Sequence, residues 1–410
     1  MKLSQRAQCL KPSPTLAMAQ KARELQAQGL DVVTLTVGEP DWSTFPSASE
    51  AGIKAIKDGF TRYTAAAGIP ELREQIAKQT SQEVGIVYKP EQAVVGAGAK
   101  FVIYSVLQML IDPNDEVLIP SPYWVSYPTM AELAGAKVKI IECDETVHFK
   151  LSAELLQKNI NEKTKVLILC SPSNPTGLLY TKQELTALAD VIRKYPNLTV
   201  ISDDIYNKLV FDQMQIAPHI LQVAPDLVSQ VVIVNGASKT YAMTGWRVGW
   251  ALGPAALMKP MADYFSQTTS NVTSISQKAV MAALTANNSD LSLAVVRLEK
   301  KKNEMLERMK QLKHIKVIPP QGAFYFWLDV KACFGKRCKL RDKNQQHTGQ
   351  SVEIKNSKQV ADLWLEQYLL ATVPGIEFGS EGYIRISIAA SDSDLVKAQQ
   401  RLLMFESDLS

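Results

Sequence analysis

The chain has 410 residues, of which 46% are hydrophobic. It can bury a large core but is too long for one compact domain, so we expect two domains. The formal net charge of +4 is nearly balanced, whereas nucleic-acid-binding proteins usually carry a stronger or more clustered basic excess. One basic run holds six Lys or Arg between Lys331 and Lys343. We interpret it as a solvated loop rather than a partner-binding patch.

Cysteine usage and hydropathy limit the setting of the protein. An odd, sparse set of cysteines does not describe a disulfide framework, and no pair of them is completed by histidines into a zinc site. The first eight residues are polar, and no stretch reaches about 18 uninterrupted apolar residues. We therefore expect a soluble cytoplasmic protein without a metal or a membrane partner. The cysteines are Cys9, Cys143, Cys170, Cys333 and Cys338.

Short apolar runs alternate with helix-like segments through the middle of the chain. The runs are continuous rather than alternating, which is typical of strands buried on both faces of a largely parallel sheet. Between two of them, Thr181 and Glu184 form the pattern of a helix capping box, and apolar residues follow at helical spacing. Strand, helix and strand in this order indicate an α/β fold. The predicted strands are Val117–Ile119, Val166–Cys170, Thr199–Ser202 and Val231–Val234.

The C-terminal part has a different pattern. A long charged helix carries an apolar stripe that includes Leu298 and Leu312, and we expect it to connect the middle of the chain to this part. After it, Ala323–Leu328 and Tyr383–Ile388 are predicted to be strands, with a helix around Val360 between them. We expect this part to form a smaller domain.

The first chemical motif is Ser238-Lys239, followed by Thr244-Gly245-Trp246-Arg247. A lysine just after a buried strand lies where desolvation lowers its pKa, and a neutral amine can form a Schiff base with an aldehyde. Arg247 could hold a phosphate with its planar fork. Taken alone, such a pair would be read as two solvated cations.

The second motif is Asp203-Asp204-Ile205-Tyr206, directly after an apolar strand. Ligands bind at the carboxyl ends of strands in open α/β sheets, and a carboxylate there can keep a pyridine nitrogen protonated. Tyr206 could donate a hydrogen bond to the phenolic oxygen of the same ring. Without the other motifs, acids in a polar loop would be the better interpretation.

Two further motifs complete the set. Asn174 lies in the turn sequence Ser171-Pro172-Ser173-Asn174-Pro175-Thr176-Gly177, again after a strand. The small residues of Gly96-Ala97-Gly98-Ala99-Lys100 precede an apolar helix, Phe101–Leu110, whose N-terminus would favour a phosphate. A plain turn and a plain helix entry are the alternatives.

Together these motifs resemble those of the class I aminotransferases, of fold type I among the pyridoxal-phosphate enzymes. The resemblance extends from Lys11-Pro12-Ser13 to about Ser391 and is closest to bacterial aspartate aminotransferases, some of which also accept prephenate. Its other matching stretches are Gly38-Glu39-Pro40-Asp41, Tyr63 with Gly68-Ile69-Pro70-Glu71-Leu72-Arg73, Ser121-Pro122-Tyr123-Trp124, and Tyr383-Ile384-Arg385-Ile386-Ser387.

The resemblance implies a large domain at 46–305 with a mostly parallel seven-stranded sheet between helices. It also implies a smaller α+β domain at 306–410, with residues 1–45 packed against it. Lys239 would hold pyridoxal phosphate as an internal aldimine and shuttle a proton in a ping-pong reaction. Asp203 would pair with the pyridinium nitrogen.

The same resemblance implies the remaining contacts. Tyr206 and Asn174 would hydrogen-bond the ring oxygen, and Trp124 would stack on the ring. The phosphate would lie against Gly98, Ala99, Lys100, Ser238 and Arg247. Tyr63 would reach the phosphate of the neighbouring subunit in a homodimer with shared sites. In the substrate site, which would also include Trp124 and Asn174, Arg385 would clamp the α-carboxylate and Gly38 would lie against the substrate.

Substrate choice depends on Lys100, which matches a lysine that faces the distal carboxylate of acidic substrates in similar enzymes. We therefore expect aspartate and a 2-keto acid such as 2-oxoglutarate as substrates. The alternatives are that Lys100 is a solvated residue at a helix start, or that an arginine of the other subunit serves instead. Prephenate or aromatic transamination, carbon–sulfur lysis and decarboxylation remain possible on this scaffold, because function lives in the site rather than the fold. A non-catalytic sensor domain would leave the full set of motifs unexplained.

Overall fold

The structure is a computed structural model that describes residues 1–410 except 5, 6, 9, 11, 13, 288 and 342–345. Cys9, Lys11, Ser13 and Lys343 of the sequence patterns lie outside the described residues. The strands are β1 Val33–Thr34, β2 Ala93–Gly96, β3 Glu116–Ser121, β4 Lys137–Glu142, β5 Thr164–Cys170, β6 Thr199–Asp203, β7 Val231–Gly236, β8 Gly249–Leu252, β9 Lys316–Ile318, β10 Tyr325–Asp329, β11 Arg337–Arg341, β12 His347–Glu353, β13 Leu370–Ala371, β14 Val373–Pro374 and β15 Tyr383–Ser387.

The helices alternate with these strands through the middle of the chain. They are α1 Pro14–Ala27, α2 Pro46–Lys57, α3 Pro70–Val84, α4 Ala99–Leu110, α5 Tyr127–Leu133, α6 Ala153–Asn159, α7 Lys182–Ile192, α8 Ile220–Val223, α9 Ala237–Thr240, α10 Ala255–Thr268, α11 Ser274–Thr285, α12 Ser289–Met309, α13 Ser357–Tyr368 and α14 Asp392–Ser407. The predicted capping box is confirmed, since the Thr181 side chain accepts from the Glu184 amide and the Glu184 side chain accepts from the Thr181 amide at the start of α7.

A seven-stranded sheet in the order β2-β8-β7-β6-β5-β3-β4 forms the centre of the molecule. Only β8 runs against its neighbours, so the sheet is mostly parallel as predicted. Alternate residues of one strand enter different cores: Leu167 packs in one apolar cluster, and Val166 and Ile168 pack in another. Because both faces of the sheet are buried, its strands are continuously apolar.

A second, antiparallel sheet has the order β14-β15-β10-β9. Trp327 on β10 is opposite Arg385 on β15, and Tyr325 is opposite Ser387. Tyr325 and Arg385 are therefore diagonal neighbours, and long side chains in such positions can touch. The N-terminal segment joins this region through β1, which pairs with β13.

Three sequence predictions need correction. Ala323 has a φ of 56°, a left-handed conformation that a strand does not adopt, so the strand begins only at Tyr325. Leu312 lies beyond the end of α12. The basic run is not simply a solvated loop: Arg337–Arg341 pairs with His347–Glu353 as a β-ladder. Arg341 in that ladder binds Asp408, which is 1% exposed.

Among the residues that the structure describes, no single helix is long and apolar enough to cross a membrane. Only α11 and α12 taken together pass that test of length and composition, and they are bent by 80° at the break between them.

Candidate active site

A cavity of about 360 Å³ opens where the carboxyl ends of β5, β6 and β7 face the antiparallel sheet and the segment after β1. All the site residues predicted from the sequence line it except Gly98 and Tyr63. Those that line it are Gly38, Ala99, Lys100, Trp124, Asn174, Asp203, Tyr206, Ser238, Lys239, Arg247 and Arg385.

Lys239 lies in the short helix α9, which follows β7 directly. Its Nζ donates a hydrogen bond of 2.6 Å to the backbone carbonyl of Gly38. Burial lowers the pKa of Lys239 to about 8; Glu39 opposes this shift, whereas Arg247 and Arg385 add to it. About a tenth of the amine is therefore neutral at pH 7, far more than for an ordinary lysine, and a nucleophile for an aldehyde must be neutral.

Asp203 ends β6 and is 3% exposed. Burial raises the pKa of its carboxyl to about 6, against the hydrogen bond that Tyr127 donates to Oδ2 over 2.5 Å. A buried carboxylate of this kind is stabilised when a cation approaches it. Tyr127 was not predicted from the sequence, although it lies only three residues after Trp124.

Gly98 and Arg247 form a close-packed cradle at the start of α4. Gly98 has a φ of +88°, and a Cβ on it would lie 2.5 Å from Arg247 Nη2. Gly249 of β8 is equally crowded, because a Cβ there would lie 2.3 Å from the amide nitrogen of Ala99. Only glycine at these two positions lets the start of α4 pack this closely against Arg247 and β8. The N-terminus of α4 lies in this cradle, and its dipole favours an anion there.

Arg385 is 2% exposed and lies between two aromatic rings, with its Cζ 4.5 Å from the Tyr325 ring centre and 4.9 Å from that of Phe378. Nη1 donates to Asn174 Oδ1 over 2.9 Å, and Nη2 donates to the Thr36 carbonyl. Within the described part of the chain, Nε has no hydrogen-bond partner. The guanidinium is thus fixed in its plane while part of its donor capacity stays available for an anion.

Tyr206 is buried, and its hydroxyl lies 2.8 Å from that of Tyr325. Burial raises the pKa of Tyr206 well above its usual value, so the group is a neutral donor. Tyr325 also lines the cavity but was not predicted, since an aromatic residue in a strand is ordinarily a core residue.

Three predicted residues, Tyr63, Lys100 and Arg247, are exposed in the single chain. The ammonium of Lys100 lies 4.9 Å from the centre of the Trp124 ring. Partial burial lowers the pKa of Lys100, and the positive charge of Arg247 lowers it further. Tyr63 does not line the cavity and is 90% exposed. Nothing within the described residues of its own chain therefore gives it a role in this cavity.

These residues fit pyridoxal phosphate. The cradle of Gly98 and Arg247 suits its phosphate, and the buried Asp203 carboxylate suits a protonated ring nitrogen. Lys239 supplies an amine with a lowered pKa for the aldehyde. Fold and site together define a pyridoxal-phosphate enzyme of fold type I.

Comparisons with known proteins agree. The family model described as aminotransferase class I and II matches residues 30–402. The probable aspartate/prephenate aminotransferase of Rickettsia felis is 42% identical over 98% of this chain and 95% of its own length. The aspartate aminotransferase of Geobacillus stearothermophilus is 40% identical over 99% of both chains. Among solved structures, the aspartate aminotransferase from Rhizobium meliloti superposes with a TM-score of 0.93 at 32% identity, over 100% of both chains.

The chain belongs to the class I and II aminotransferase family. It is a pyridoxal-phosphate-dependent transferase that acts on amino acids and 2-keto acids.

Proposed function

We propose that this aminotransferase takes its amino group from aspartate and passes it to 2-oxoglutarate, in two half-reactions at one site. The observation that carries the proposal is the convergence of the Lys239 amine, the Asp203 carboxylate and the Arg385 guanidinium on one cavity. The names of the relatives that are about 40% identical support aspartate as the donor.

Bound pyridoxal phosphate supplies an electron sink for the charge that develops at the substrate Cα. Lys239 holds the cofactor through its amine and moves the proton at that carbon. Asp203 would keep the ring nitrogen protonated. Tyr206 and the Asn174 amide would donate to the ring oxygen, and Trp124 would pack against the ring. Since Asn174 Oδ1 accepts from Arg385, its Nδ2 is the atom left to donate.

Gly98, Ala99, Ser238 and Arg247 bind the phosphate, with Lys100 beside them. Arg385 binds the α-carboxylate of the substrate, and Gly38 lies against it. A charge-assisted hydrogen bond of the Arg385 type contributes about 1.5–3 kcal/mol, so its loss weakens substrate binding by tens of fold. The clamp also orients the bond at Cα that is to be broken.

The Lys100 ammonium lines the cavity and binds the distal carboxylate of an acidic substrate. A second candidate donor or acceptor is an aromatic or prephenate-like acid, which is favoured by the Rickettsia relative's name. The Lys100→Met variant tests this role of Lys100 when aspartate and phenylalanine are compared as donors. It lowers kcat/KM for aspartate by about tenfold, the loss of one charged contact, while phenylalanine as donor is unaffected. An equal effect on both donors contradicts this role of Lys100.

The test of the proposed function follows the visible absorption of the protein with pyridoxal phosphate. L-aspartate alone converts the band of the bound aldehyde to that of the amine form, and 2-oxoglutarate restores it. The Lys239→Ala variant gives no such cycle. A folded wild-type protein whose spectrum matches that of Lys239→Ala overturns the proposal. A band that ignores aspartate but responds to another amino acid overturns only the choice of donor.

We also propose a homodimer in which Tyr63 completes the phosphate site of the partner. Its 90% exposure supports this, because a large aromatic side chain at the surface is typical of an interface. Mixing Tyr63→Phe with Lys239→Ala subunits creates heterodimers that have one intact site. About a quarter of the sites then regain wild-type affinity for the cofactor if subunits exchange statistically. No recovery in a mixture shown to contain heterodimers contradicts the shared site.

The domain limits at 46–305 and 306–410, with 1–45 packed on the smaller domain, and a cytoplasmic location are further parts of this proposal. Pairing of β1 with β13 supports the placement of the N-terminal segment.

A further inference from the structure

Tyr325 touches three parts of the site at once. Its hydroxyl lies 2.8 Å from the Tyr206 hydroxyl, and its ring face lies 4.5 Å from Arg385 Cζ. A Cβ on Gly38 would lie 2.0 Å from the Tyr325 hydroxyl, so the glycine leaves room for it. The side chain is 1% exposed and sits on β10, in the antiparallel sheet, whereas Tyr206 follows β6 of the parallel sheet.

We propose that Tyr325 is a positioning residue that couples the two halves of the site: its hydroxyl holds Tyr206 and its ring holds Arg385. The inference rests on the proposed function, in which Tyr206 donates to the cofactor ring oxygen and Arg385 binds the substrate carboxylate.

In the contact between the hydroxyl groups of Tyr206 and Tyr325, either group can donate the hydrogen bond, and the surroundings decide which one does. When Tyr206 donates its proton to an acceptor in the cavity, its oxygen is free to accept, and Tyr325 becomes the donor. A tyrosine that accepts one hydrogen bond is a better donor in the next, because hydrogen bonds in a chain polarise one another. Tyr325 therefore strengthens the bond from Tyr206 to the ring oxygen and keeps the Tyr206 ring in place. The two rings meet edge to face, with 5.8 Å between their centres.

The ring acts separately on Arg385. Tyr325 and Phe378 lie against the guanidinium, so it cannot rotate out of its plane without losing both contacts. Cation–π contact is stronger in a desolvated site than at an exposed one. This contact holds the donors of Arg385 toward the cavity before any carboxylate arrives.

Three variants separate these two effects. Tyr325→Phe removes only the hydroxyl, Tyr325→Leu removes the ring as well, and Phe378→Leu removes the other ring against Arg385. Among the described residues no ring contact or hydrogen bond joins Phe378 to Tyr206, so Phe378→Leu is the matched control that affects the Arg385 clamp but not the pair of hydroxyl groups.

The first readout is the pH titration of the visible band of the enzyme with bound pyridoxal phosphate. A donor to the ring oxygen stabilises its deprotonated form and lowers the apparent pKa of the band. Tyr325→Phe therefore raises this apparent pKa by about half a unit or more. Phe378→Leu changes it less, because Phe378 can act on the ring oxygen only indirectly, through Arg385 and Asn174. The second readout is the affinity for maleate, a dicarboxylate that cannot be transaminated. Tyr325→Leu and Phe378→Leu weaken it by roughly tenfold, and Tyr325→Phe by less than about threefold.

An unchanged titration in Tyr325→Phe, together with wild-type maleate affinity in Tyr325→Leu, overturns the inference. If Tyr325→Leu does not fold, the titration of Tyr325→Phe decides alone. The proposed function fails differently, because then the wild-type protein itself shows no lysine-dependent visible band.

Discussion

The Nζ of Lys239 donates its hydrogen bond to the carbonyl of Gly38, a residue 201 positions earlier in the chain. The carbonyl can accept from either protonation state of the amine and favours the charged one, but burial favours the neutral one more strongly and lowers the Lys239 pKa to about 8. The contact therefore fixes the position of the nitrogen without keeping it charged.

The rate at which pyridoxal phosphate attaches to the cofactor-free protein should follow this pKa. Only the neutral amine attacks, so the rate rises about tenfold per pH unit below pH 8 and levels off above it. Stopped-flow absorbance across pH measures it, with Lys239→Arg as the control that gives no band. A rate that keeps rising to about pH 10 would mean an ordinary lysine pKa, against this prediction.

Asp203 should make the cofactor-free protein less stable as pH rises. Burial raises the pKa of the Asp203 carboxyl to about 6, so the folded state binds this proton more tightly than the unfolded chain does. The resulting stability is present below about pH 4 and is lost as pH rises through about 6. In the Asp203→Asn variant this loss of stability with rising pH is absent.

Chemical unfolding of both cofactor-free proteins across that range is the measurement. At pH 8 the variant is expected to be more stable by about 1–3 kcal/mol, although it binds pyridoxal phosphate more weakly. A stability difference that is the same at both ends of the pH range shows that Asp203 is not the titrating group.

The sequence predicted the parallel sheet well because burial on both faces makes its strands continuously apolar, as in β5 and β7. The site residues at the ends of those strands were predicted because ligands bind at the carboxyl ends of strands in open α/β sheets, and because of the family resemblance. Tyr325 could not be found this way: its role depends on two sheets meeting, which no local pattern encodes. The ladder at Arg337–Arg341 was missed because its charged residues contradict the usual strand pattern.

Gly98→Ala should weaken cofactor binding more than it weakens the fold. The added methyl group meets Arg247 and also occupies a φ of +88°, so it displaces the arginine from the phosphate. We expect the affinity for pyridoxal phosphate to fall by about tenfold or more, the loss of one charged contact.

Gly85→Ala is the matched control. Gly85 also has a positive φ, +76°, but its ψ is 15° whereas that of Gly98 is 155°, and nothing lies within 4 Å of the added Cβ. Both variants lose about 1 kcal/mol or more of stability from backbone strain, and only Gly98→Ala loses cofactor affinity, measured by fluorescence titration. Equal affinities in the two variants would refute the phosphate cradle.

Lys301 should support the site from a distance. It lies on α12, and its ammonium binds the Asp41 carboxylate and also donates to the Ala390 carbonyl over 2.6 Å. Asp41 is three residues after Gly38, so the ion pair fixes the segment that holds the Lys239 amine and lines the cavity. Lys301→Met frees that segment, and kcat/KM for aspartate should fall roughly fivefold, about 1 kcal/mol of a partly exposed charged contact.

Lys300→Met is the control, because Lys300 is 75% exposed and its nearest carboxylate oxygen, in Glu304, is 3.8 Å away. Steady-state kinetics in which both variants lose activity equally would point to general loosening of α12, and the specific support by Lys301 would then be wrong.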